Sequence, residues 1–262
     1  MDLQLTGKRA LIVGGTKGIG RAVAATLARE GAVVTVAARN AVTAAAADLA
    51  NETGGTVHGV VIDSRDDASV LAGVAQAVAA MGGVDILVNT AAAPWSAAKN
   101  TVASQTSDEA MRVEFEEKVL GYLRTARAVA PQMIAGGWGR IVNISGLGAR
   151  KSGSVAQTVR NISVSAITKN LADELGPHGI NVTVVHPGLT RTDAVAALVE
   201  KRVSAGTALA DAEREMAGNI IGRIVTPDEL AAVIVFLASP LSVAITGGAV
   251  DAGGGTPGVV TY

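Results

Sequence analysis

The chain has 262 residues, 49% hydrophobic but only 2% aromatic, so alanine, valine, leucine and isoleucine must fill its core. Its 22 basic and 23 acidic residues nearly balance, which argues against a nucleic-acid-binding protein and gives no polybasic signal for a membrane surface. The absence of cysteine excludes disulfides, thiol nucleophiles and thiolate metal ligands.

The start of the chain, MDLQLTGKRALIV, lacks the basic segment and long apolar run of a signal peptide. No stretch approaches the roughly 18 apolar residues that indicate a membrane span. We therefore expect a soluble, cytoplasmic protein without a metal site.

Short β-branched runs alternate with longer alanine-rich segments along the chain. The predicted strands are Ala10–Val13, Val33–Ala37, Val57–Ile62, Ile86–Val88, Ile141–Ile144, Asn181–Val185 and roughly Ala249–Asp251. The predicted helices are Gly18–Glu30, Val42–Thr53, Ala68–Ala80, Asp108–Ala135, Val155–Leu175 and Asp228–Leu237. Apolar strands separated by helices indicate a parallel sheet covered on both faces. The sequence thus predicts a single doubly wound α/β domain over residues 1–262.

One segment, Thr192–Asn219, interrupts this alternation before the last helix. Its pattern predicts two short helices, Asp193–Val203 and Leu209–Ala217, with a hinge at Gly206. We expect residues 192–219 to form a mobile lid over a substrate site, and a fixed surface excursion is the alternative.

A glycine-rich turn follows the first strand. The sequence VGGTKGIGRAV places Gly14, Gly18 and Gly20 directly between a strand and a helix. Glycines at this spacing permit a tight turn and let backbone N–H groups approach a pyrophosphate, and the helix N-terminus favours its negative charge. The turn predicts a dinucleotide site, since a merely structural turn rarely has this spacing in this place.

Other stretches extend this pattern. LVNTAAAP at Leu87–Pro94 ends the fourth strand, GRIVNIS at Gly139–Ser145 fits the fifth, and HPGLTRT at His186–Thr192 follows the sixth. With GRIVTPDELAAVIVFLAS and ITGGAVDAGGG near the end, the whole chain resembles the short-chain dehydrogenase/reductase family. The resemblance implies a Rossmann-type domain, oxidoreductase chemistry on a small-molecule substrate, and a homodimer or homotetramer.

The same resemblance implies which residues hold the dinucleotide. Asp63, at the end of the third strand, resembles the residue that touches the adenine amino group, and the HPGLTRT stretch resembles the one that cradles nicotinamide. The implied cofactor-binding residues are Gly14, Thr16, Lys17, Gly18, Ile19, Gly20, Arg39, Asp63, Ser64, Asn89, Pro187, Gly188, Thr190 and Thr192.

The end of the second strand, TVAARN, bears on the choice between NAD and NADP. Binding of NAD usually needs an acidic residue there to hold the ribose 2′-hydroxyl, and residues 37–40 supply none. Arg39 could pair its planar fork with a 2′-phosphate, and Lys17 points to the same region in family members that use NADP. The pattern favours NADP, with NAD possible; ordinary solvated charges are the alternative explanation of both cations.

The positions that carry the family's chemistry have changed. As the resemblance implies, a tyrosine acidified by a lysine protonates the carbonyl, a serine holds its oxygen, and an asparagine organises a water relay. Counting back from the Pro-Gly pair after the sixth strand, the tyrosine place falls on Gln157 and the lysine place on Asn161. The serine place falls on Gly146, immediately after Ser145, and the asparagine place on Lys118.

Lys118 is the first candidate for a replacement acid or base. If it faces the pocket, burial lowers its pKa, and it could act as a proton donor, a Schiff-base amine or an anion clamp. A lysine that reaches solvent or pairs with Glu114 is the alternative. Gln157 and Asn161, at i and i+4 on one helix face, can bond each other or a ligand but cannot be general acids. The candidate catalytic residues are Lys118, Ser145, Gln157 and Asn161.

Four other residues are less favoured as parts of the active site. The chain has only two tyrosines, of which Tyr122 is expected in the core and Tyr262 could reach a neighbouring subunit's pocket. We expect His186 to pack at a strand end, and Arg160 to point away from the site or towards an anionic ligand.

Three functions remain open at this level. The first is an NADP-dependent oxidoreductase with a non-standard active site, acting on an unknown small carbonyl or alcohol. The second is a non-catalytic dinucleotide-binding sensor or partner subunit. The third is a lyase or isomerase reaction on the same scaffold.

Overall fold

The computed structural model describes residues 1–92 and 102–260, and within these ranges seven parallel strands form one sheet. The strands are β1 (Arg9–Val13), β2 (Val33–Ala38), β3 (Val57–Val61), β4 (Ile86–Asn89), β5 (Gly139–Ile144), β6 (Ile180–Pro187) and β7 (Ala249–Ala252). Their order across the sheet is β3-β2-β1-β4-β5-β6-β7. The predicted doubly wound Rossmann-type fold is confirmed.

The helices cover both faces of the sheet. They are α1 (Gly18–Arg29), α2 (Val42–Thr53), α3 (Asp67–Met81), α4 (Asp108–Glu114), α5 (Gly121–Gly136), α6 (Val155–Leu175), α7 (Asp193–Ser204), α8 (Leu209–Ala217) and α9 (Pro227–Ala238). No helix in the described part of the chain is long and apolar enough to cross a membrane. Pro94, at the end of the stretch Leu87–Pro94, and the candidate Tyr262 lie outside the described residues.

The segment predicted as one helix over Asp108–Ala135 is divided by a wider turn. A π-helical stretch, Phe115–Leu120, separates α4 from α5. Such π-turns are frequent at functional sites because they redirect side chains out of the regular helical series. Lys118 lies within this stretch and is buried.

Strand β1 is buried on both faces, which explains its uninterrupted apolar sequence. Ile12 belongs to the apolar cluster that contains Leu27 of α1 and Leu230 of α9. Leu11, its neighbour in the strand, belongs to the cluster on the opposite face with Val129 of α5. These two layers hold β1 at the centre of the domain.

The strand order reverses between β1 and β4, because the chain crosses from β3 at one edge to β4 on the other side of β1. Ligands of open α/β sheets bind at such a crevice, beyond the carboxyl ends of the strands. A buried amide pair fixes the strand ends below it: Asn89 Nδ2 donates to Asn143 Oδ1 at 3.0 Å. Thr125 Oγ1 in turn donates to Asn89 Oδ1 at 2.8 Å.

Helices α7 and α8 lie between β6 and α9 and are joined at Gly206, whose φ is +98°. Val195 and Val199 of α7 pack with Ile224 in a small apolar cluster. The far end of the segment is tied to the chain after β7, since Asn219 Nδ2 donates to the carbonyl of Gly253 at 2.9 Å. The backbone N–H groups of residues 220 and 221 also donate to residue 254.

Candidate active site

A cleft of about 820 Å³ opens at the carboxyl ends of the strands. The glycine-rich turn, the start of α6, the loop after β6 and α7 all line it. Of the predicted site residues, those lining it are Gly14, Lys17, Gly18, Ile19, Gly20, Ser145, Gln157, Asn161, Pro187, Gly188, Thr190 and Thr192. The structure thus gathers most of the predicted residues around one space.

The glycine-rich turn leaves no room for a side chain at Gly14 or at Gly20. A Cβ on Gly14, whose φ is +89°, would lie 2.6 Å from the backbone nitrogen of Ala91. A Cβ on Gly20 would lie 2.2 Å from the carbonyl oxygen of Gly14. Helix α1 begins at Gly18, so its unpaired N–H groups face the cleft and attract an anion. A Cβ on Gly18 would lie 3.2 Å from Thr192 Cγ2, which shows how closely the loop after β6 approaches this turn.

The predicted adenine end is occupied by an internal ion pair. Asp63 accepts from Arg65 Nε at 2.9 Å and from Arg65 Nη2 at 2.6 Å. These hydrogen bonds, with a smaller contribution from the charge of Arg39, lower the pKa of Asp63 to about 2. Arg39 itself is exposed at the end of β2. The carboxylate therefore faces two cations, and Arg39 stands open to an anionic group.

Three further predicted cofactor residues lie outside the main cleft. Thr16 borders a neighbouring hollow of about 410 Å³, together with Lys17 and Arg21. Ser64 Oγ donates to the carbonyl of Glu117 at 3.3 Å. The side chain of Asn89 is fully buried below the cleft. Its hydrogen bond to Asn143 joins the ends of β4 and β5.

Lys118 lies directly behind the wall of the cleft. Its side chain crosses from the π-helical turn to β5 and α6, where Nζ donates to the carbonyl of Ser145 at 2.9 Å and to Asn161 Oδ1 at 3.3 Å. Only 4% of the residue is exposed, so the lysine does not reach solvent. Burial lowers the pKa of Lys118 well below its usual range; the charge of Arg160 adds to this, and that of Glu114 opposes it.

This depressed pKa predicts a characteristic pH dependence of stability. Between the folded pKa and the unfolded value near 10.5, the unfolded state binds more protons, so the free energy of unfolding contributed by Lys118 increases as pH rises. Lys118→Met removes this contribution and leaves other groups in place. We expect the stability of the unmodified protein relative to Lys118→Met to rise as the pH increases through the lowered pKa of Lys118 towards about pH 10, measured by denaturant unfolding at each pH. A constant difference would contradict the shift.

Arg160 forms a nearly buried ion pair with Glu114 of α4, and it also lines the cleft. This pair joins α6 to α4 beside Lys118. The sequence left Arg160 open between two orientations and did not connect it with Glu114. Several cleft-lining residues were also missed, among them Gly148 and Lys151 between β5 and α6, and Asn219 at the end of the predicted lid. The glycine- and lysine-containing loop GLGARKSGS was the available signal for the first two.

Tyr122 and His186 lie in the core, as expected from the sequence. The Tyr122 hydroxyl donates to the carbonyl of Ile144 at 3.0 Å, and burial raises the pKa of this phenol. His186 Nε2 lies 3.4 Å from Ser165 Oγ, and burial lowers the pKa of the imidazole. In residues 1–92 and 102–260, no tyrosine lines the cleft.

Comparison with known proteins agrees with this arrangement. A family model described as "Enoyl-(Acyl carrier protein) reductase" matches residues 13–256. The short-chain reductase protein NovJ of Streptomyces niveus is 35% identical over 251 residues, covering 95% of this chain and 93% of that protein. The chain belongs to the short-chain dehydrogenase/reductase family. The family resemblance read from the sequence is therefore confirmed.

Solved structures of short-chain dehydrogenases and reductases superpose closely on this one. L-Sorbose reductase from Gluconobacter frateurii, complexed with NADPH and L-sorbose, matches with a TM-score of 0.90 and 29% identity over 99% of this chain and 100% of its own. A short chain oxidoreductase from Pseudomonas aeruginosa, described as containing an atypical catalytic center, matches with a TM-score of 0.88 and 28% identity over 98% and 99%.

Proposed function

We propose that this protein is an NADP(H)-dependent oxidoreductase that acts on a small carbonyl or alcohol, with Lys118 as its relocated ionisable group. The observation that carries the proposal is the layout of the cleft. A glycine-rich turn fit for a dinucleotide lines the same cleft as Gln157 and Asn161, and the buried Lys118 contacts Asn161 from behind.

The residues present fit a dinucleotide. Side chains are excluded at Gly14 and Gly20, and the N–H groups at the start of α1 face the same space. These groups would hold the pyrophosphate, Lys17 and Arg39 the 2′-phosphate, and the loop after Pro187 the nicotinamide end. When bound, NADPH supplies the hydride. The complex of L-sorbose reductase with NADPH supports this assignment.

The asparagine and lysine of the family's active site have changed places in this chain. Lys118 occupies the asparagine place and Asn161 the lysine place, and the two side chains contact each other at 3.3 Å. A positive charge is therefore kept beneath the cleft but comes from the π-helical turn instead of α6. Because Lys118 is shielded from water, its charge favours negative charge on a nearby substrate oxygen. Gln157, in the tyrosine place, can add a hydrogen bond to another part of the substrate, and water in the cleft can protonate the oxygen.

The segment 192–219 is proposed as the lid of this site. Several of its residues line the cleft, among them Asp193, Val195 and Asn219. Gly206, with its left-handed backbone, would serve as a hinge within the segment. The hydrogen bond between Asn219 and Gly253 would anchor its far end.

The choice of cofactor is testable at Arg39. We expect the unmodified protein to bind NADPH more tightly than NADH, because Arg39 is exposed and no carboxylate ends β2. Arg39→Asp exchanges a phosphate partner for a hydroxyl acceptor and should reverse the order. Fluorescence titration with each cofactor measures the two affinities. If the unmodified protein binds NADH as tightly as NADPH, or more tightly, the assignment of NADP from Arg39 is contradicted.

Activity itself is tested by incubating the protein with NADPH and a broad panel of carbonyl compounds, and with NADP⁺ and the corresponding alcohols, while following the absorbance of the reduced cofactor. Turnover of any member supports the proposal. Tight NADPH binding without turnover favours a non-catalytic sensor or partner subunit. If the protein does not bind NADPH, both the enzyme and the sensor functions are refuted.

A specific observation favours the second candidate function, a non-catalytic sensor or partner subunit. The chain's described tyrosine is held in the core by its bond to Ile144, and both polar residues at the former tyrosine and lysine places are amides. Neither amide can supply a proton near neutral pH. The Pseudomonas aeruginosa oxidoreductase nevertheless indicates that the same scaffold carries atypical catalytic centers.

We also propose a homo-oligomer, a dimer or tetramer. Apolar side chains stand exposed on three neighbouring helices: Ile162 of α6, which is 50% exposed, Val113 of α4 and Ile134 of α5. A two-fold interface would cover the same patch on both subunits. Light scattering at micromolar concentration should give a multiple of 26.2 kDa, whereas a monomeric mass would contradict the proposal.

A further inference from the structure

Two glycines in the loop after β5, Gly146 and Gly148, leave space beside the side chain of Asn161. Gly146 has an extended backbone, with φ 171°, and Gly148 lies in the short turn Leu147–Ala149 without a positive φ. Neither conformation demands glycine. A Cβ on Gly148 would meet a single atom within 4 Å, Asn161 Nδ2 at 3.0 Å. A Cβ on Gly146 would meet three, all in the Asn161 amide, with Nδ2 nearest at 3.1 Å.

The neighbouring lysine fixes which way this amide points. Protonated Lys118 has only donors, so Asn161 must present its oxygen to Nζ, and the contact is Nζ to Oδ1 at 3.3 Å. The Asn161 nitrogen is therefore turned towards the two glycines, in the wall of the cleft. In the described part of the chain, Nδ2 donates no hydrogen bond to a protein group.

These contacts leave an oriented donor without an acceptor among the described residues. Asn161 is only 4% exposed, and Nδ2 is not one of the fully enclosed side-chain atoms of the described chain that lack a partner, so the donor is accessible from the cleft. Polar groups at such positions normally have a partner. The cleft is the remaining place from which a partner can come. Ser145, the hydroxyl nearest in sequence to the family's serine place, is already engaged, since its Oγ donates to the carbonyl of Asn161 at 3.0 Å.

We infer that Asn161 Nδ2 is the group that holds the substrate's carbonyl oxygen, with Lys118 as the positioning residue that orients it and Gly146 and Gly148 as the space that admits it. The inference rests on the proposed function and specifies its substrate contact. The ligand class is a small neutral molecule with a carbonyl oxygen. The changes at positions 118, 146 and 161 are then one coupled rearrangement, because the amide needs both the lysine behind it and the glycines beside it.

The test uses acetamide, whose carbonyl oxygen accepts hydrogen bonds and which is not reduced by NADPH. Its affinity is titrated by NMR with and without NADPH, on unmodified protein and on matched variants. Gly148→Ala crowds Asn161 Nδ2, whereas Gly153→Ala makes the same change in the same loop at a position where a Cβ meets no atom within 4 Å. We expect acetamide affinity to fall about tenfold in Gly148→Ala and to stay within about twofold in Gly153→Ala.

Two further variants separate the roles of Asn161 and Lys118. Asn161→Asp keeps the shape and the oxygen that faces Lys118 but removes the donor, so acetamide binding should fall about tenfold. In the unmodified protein, acetamide should shift the ¹H–¹⁵N signals of the Asn161 side-chain amide. In Lys118→Met the amide loses its fixed orientation, and this shift should disappear while thermal unfolding remains cooperative.

Unchanged acetamide affinity in Gly148→Ala would overturn the inference, as would the absence of acetamide binding to unmodified protein. A loss of NADPH affinity in Asn161→Asp without any change in acetamide affinity would also overturn it, because the amide would then serve the cofactor. The proposed function is judged separately, by NADPH binding and by turnover of the carbonyl panel.

Discussion

Replacing Lys118 with methionine is expected to lower turnover at least about 100-fold while NADPH affinity changes by less than about threefold. Methionine keeps the apolar stem but removes the charge and both hydrogen bonds, to the Ser145 carbonyl and to Asn161 Oδ1. Within the described residues, Lys118 donates its hydrogen bonds to Ser145 and Asn161 and not to the glycine-rich turn, so the cofactor should bind almost normally. Steady-state kinetics and cofactor titration measure the two effects.

A matched control for this change is Lys169→Met. Lys169 also projects from a helix, α6, but it is exposed and pairs with Asp173 on the same helix. Its replacement should leave turnover unchanged, since exposed ion pairs contribute little. Undiminished turnover in Lys118→Met would contradict a role of Lys118 in the mechanism, even if the affinity for NADPH were unchanged.

The second large effect is expected at Gly20. Gly20→Ala places a methyl group 2.2 Å from the carbonyl oxygen of Gly14, and neither backbone segment can move without disturbing the turn. We expect a loss of roughly 1–3 kcal/mol of unfolding free energy, typical of overpacking. Because the displaced backbone is the surface that faces the pyrophosphate, NADPH affinity should fall at least about tenfold. Denaturant unfolding and cofactor titration measure the two losses.

Gly136→Ala provides the comparison, because a Cβ at the end of α5 meets no atom within 4 Å. This replacement should change stability by less than about 1 kcal/mol and is expected to stabilise slightly through the unfolded chain. Equal cofactor affinity in Gly20→Ala and the unmodified protein would contradict the role assigned to the turn.

The sheet and the glycine-rich turn were predictable from the sequence because each depends on local signals. The strands are continuous apolar runs, and the turn has a fixed glycine spacing between a strand and a helix. The helices α7 and α8 could also be placed, within a residue of their ends, from their pattern and from Gly206 between them. Local propensity and tertiary structure agree at these points.

The arrangement around Lys118 was not predictable in the same way. The sequence singled out Lys118, Gln157 and Asn161 but could not show that the lysine lies behind the amide instead of facing the ligand. That geometry depends on a π-helical turn and on a contact between side chains 43 residues apart. The Glu114–Arg160 pair likewise joins two helices whose relative placement no local pattern encodes.

The strand order also has a consequence for how quickly the chain can fold. Strand β1 lies in the interior of the sheet, yet one of its two partners, β4, is reached only after two other strands and three helices, with Ile86 beside Ala10. Every ladder among the described strands is parallel, so none of these strands pairs through a hairpin. Such distant pairings slow folding, and an unpaired apolar edge invites association between chains. Refolding should therefore be slow and lose yield as concentration rises, so dilute conditions and slow synthesis should favour recovery of the native protein.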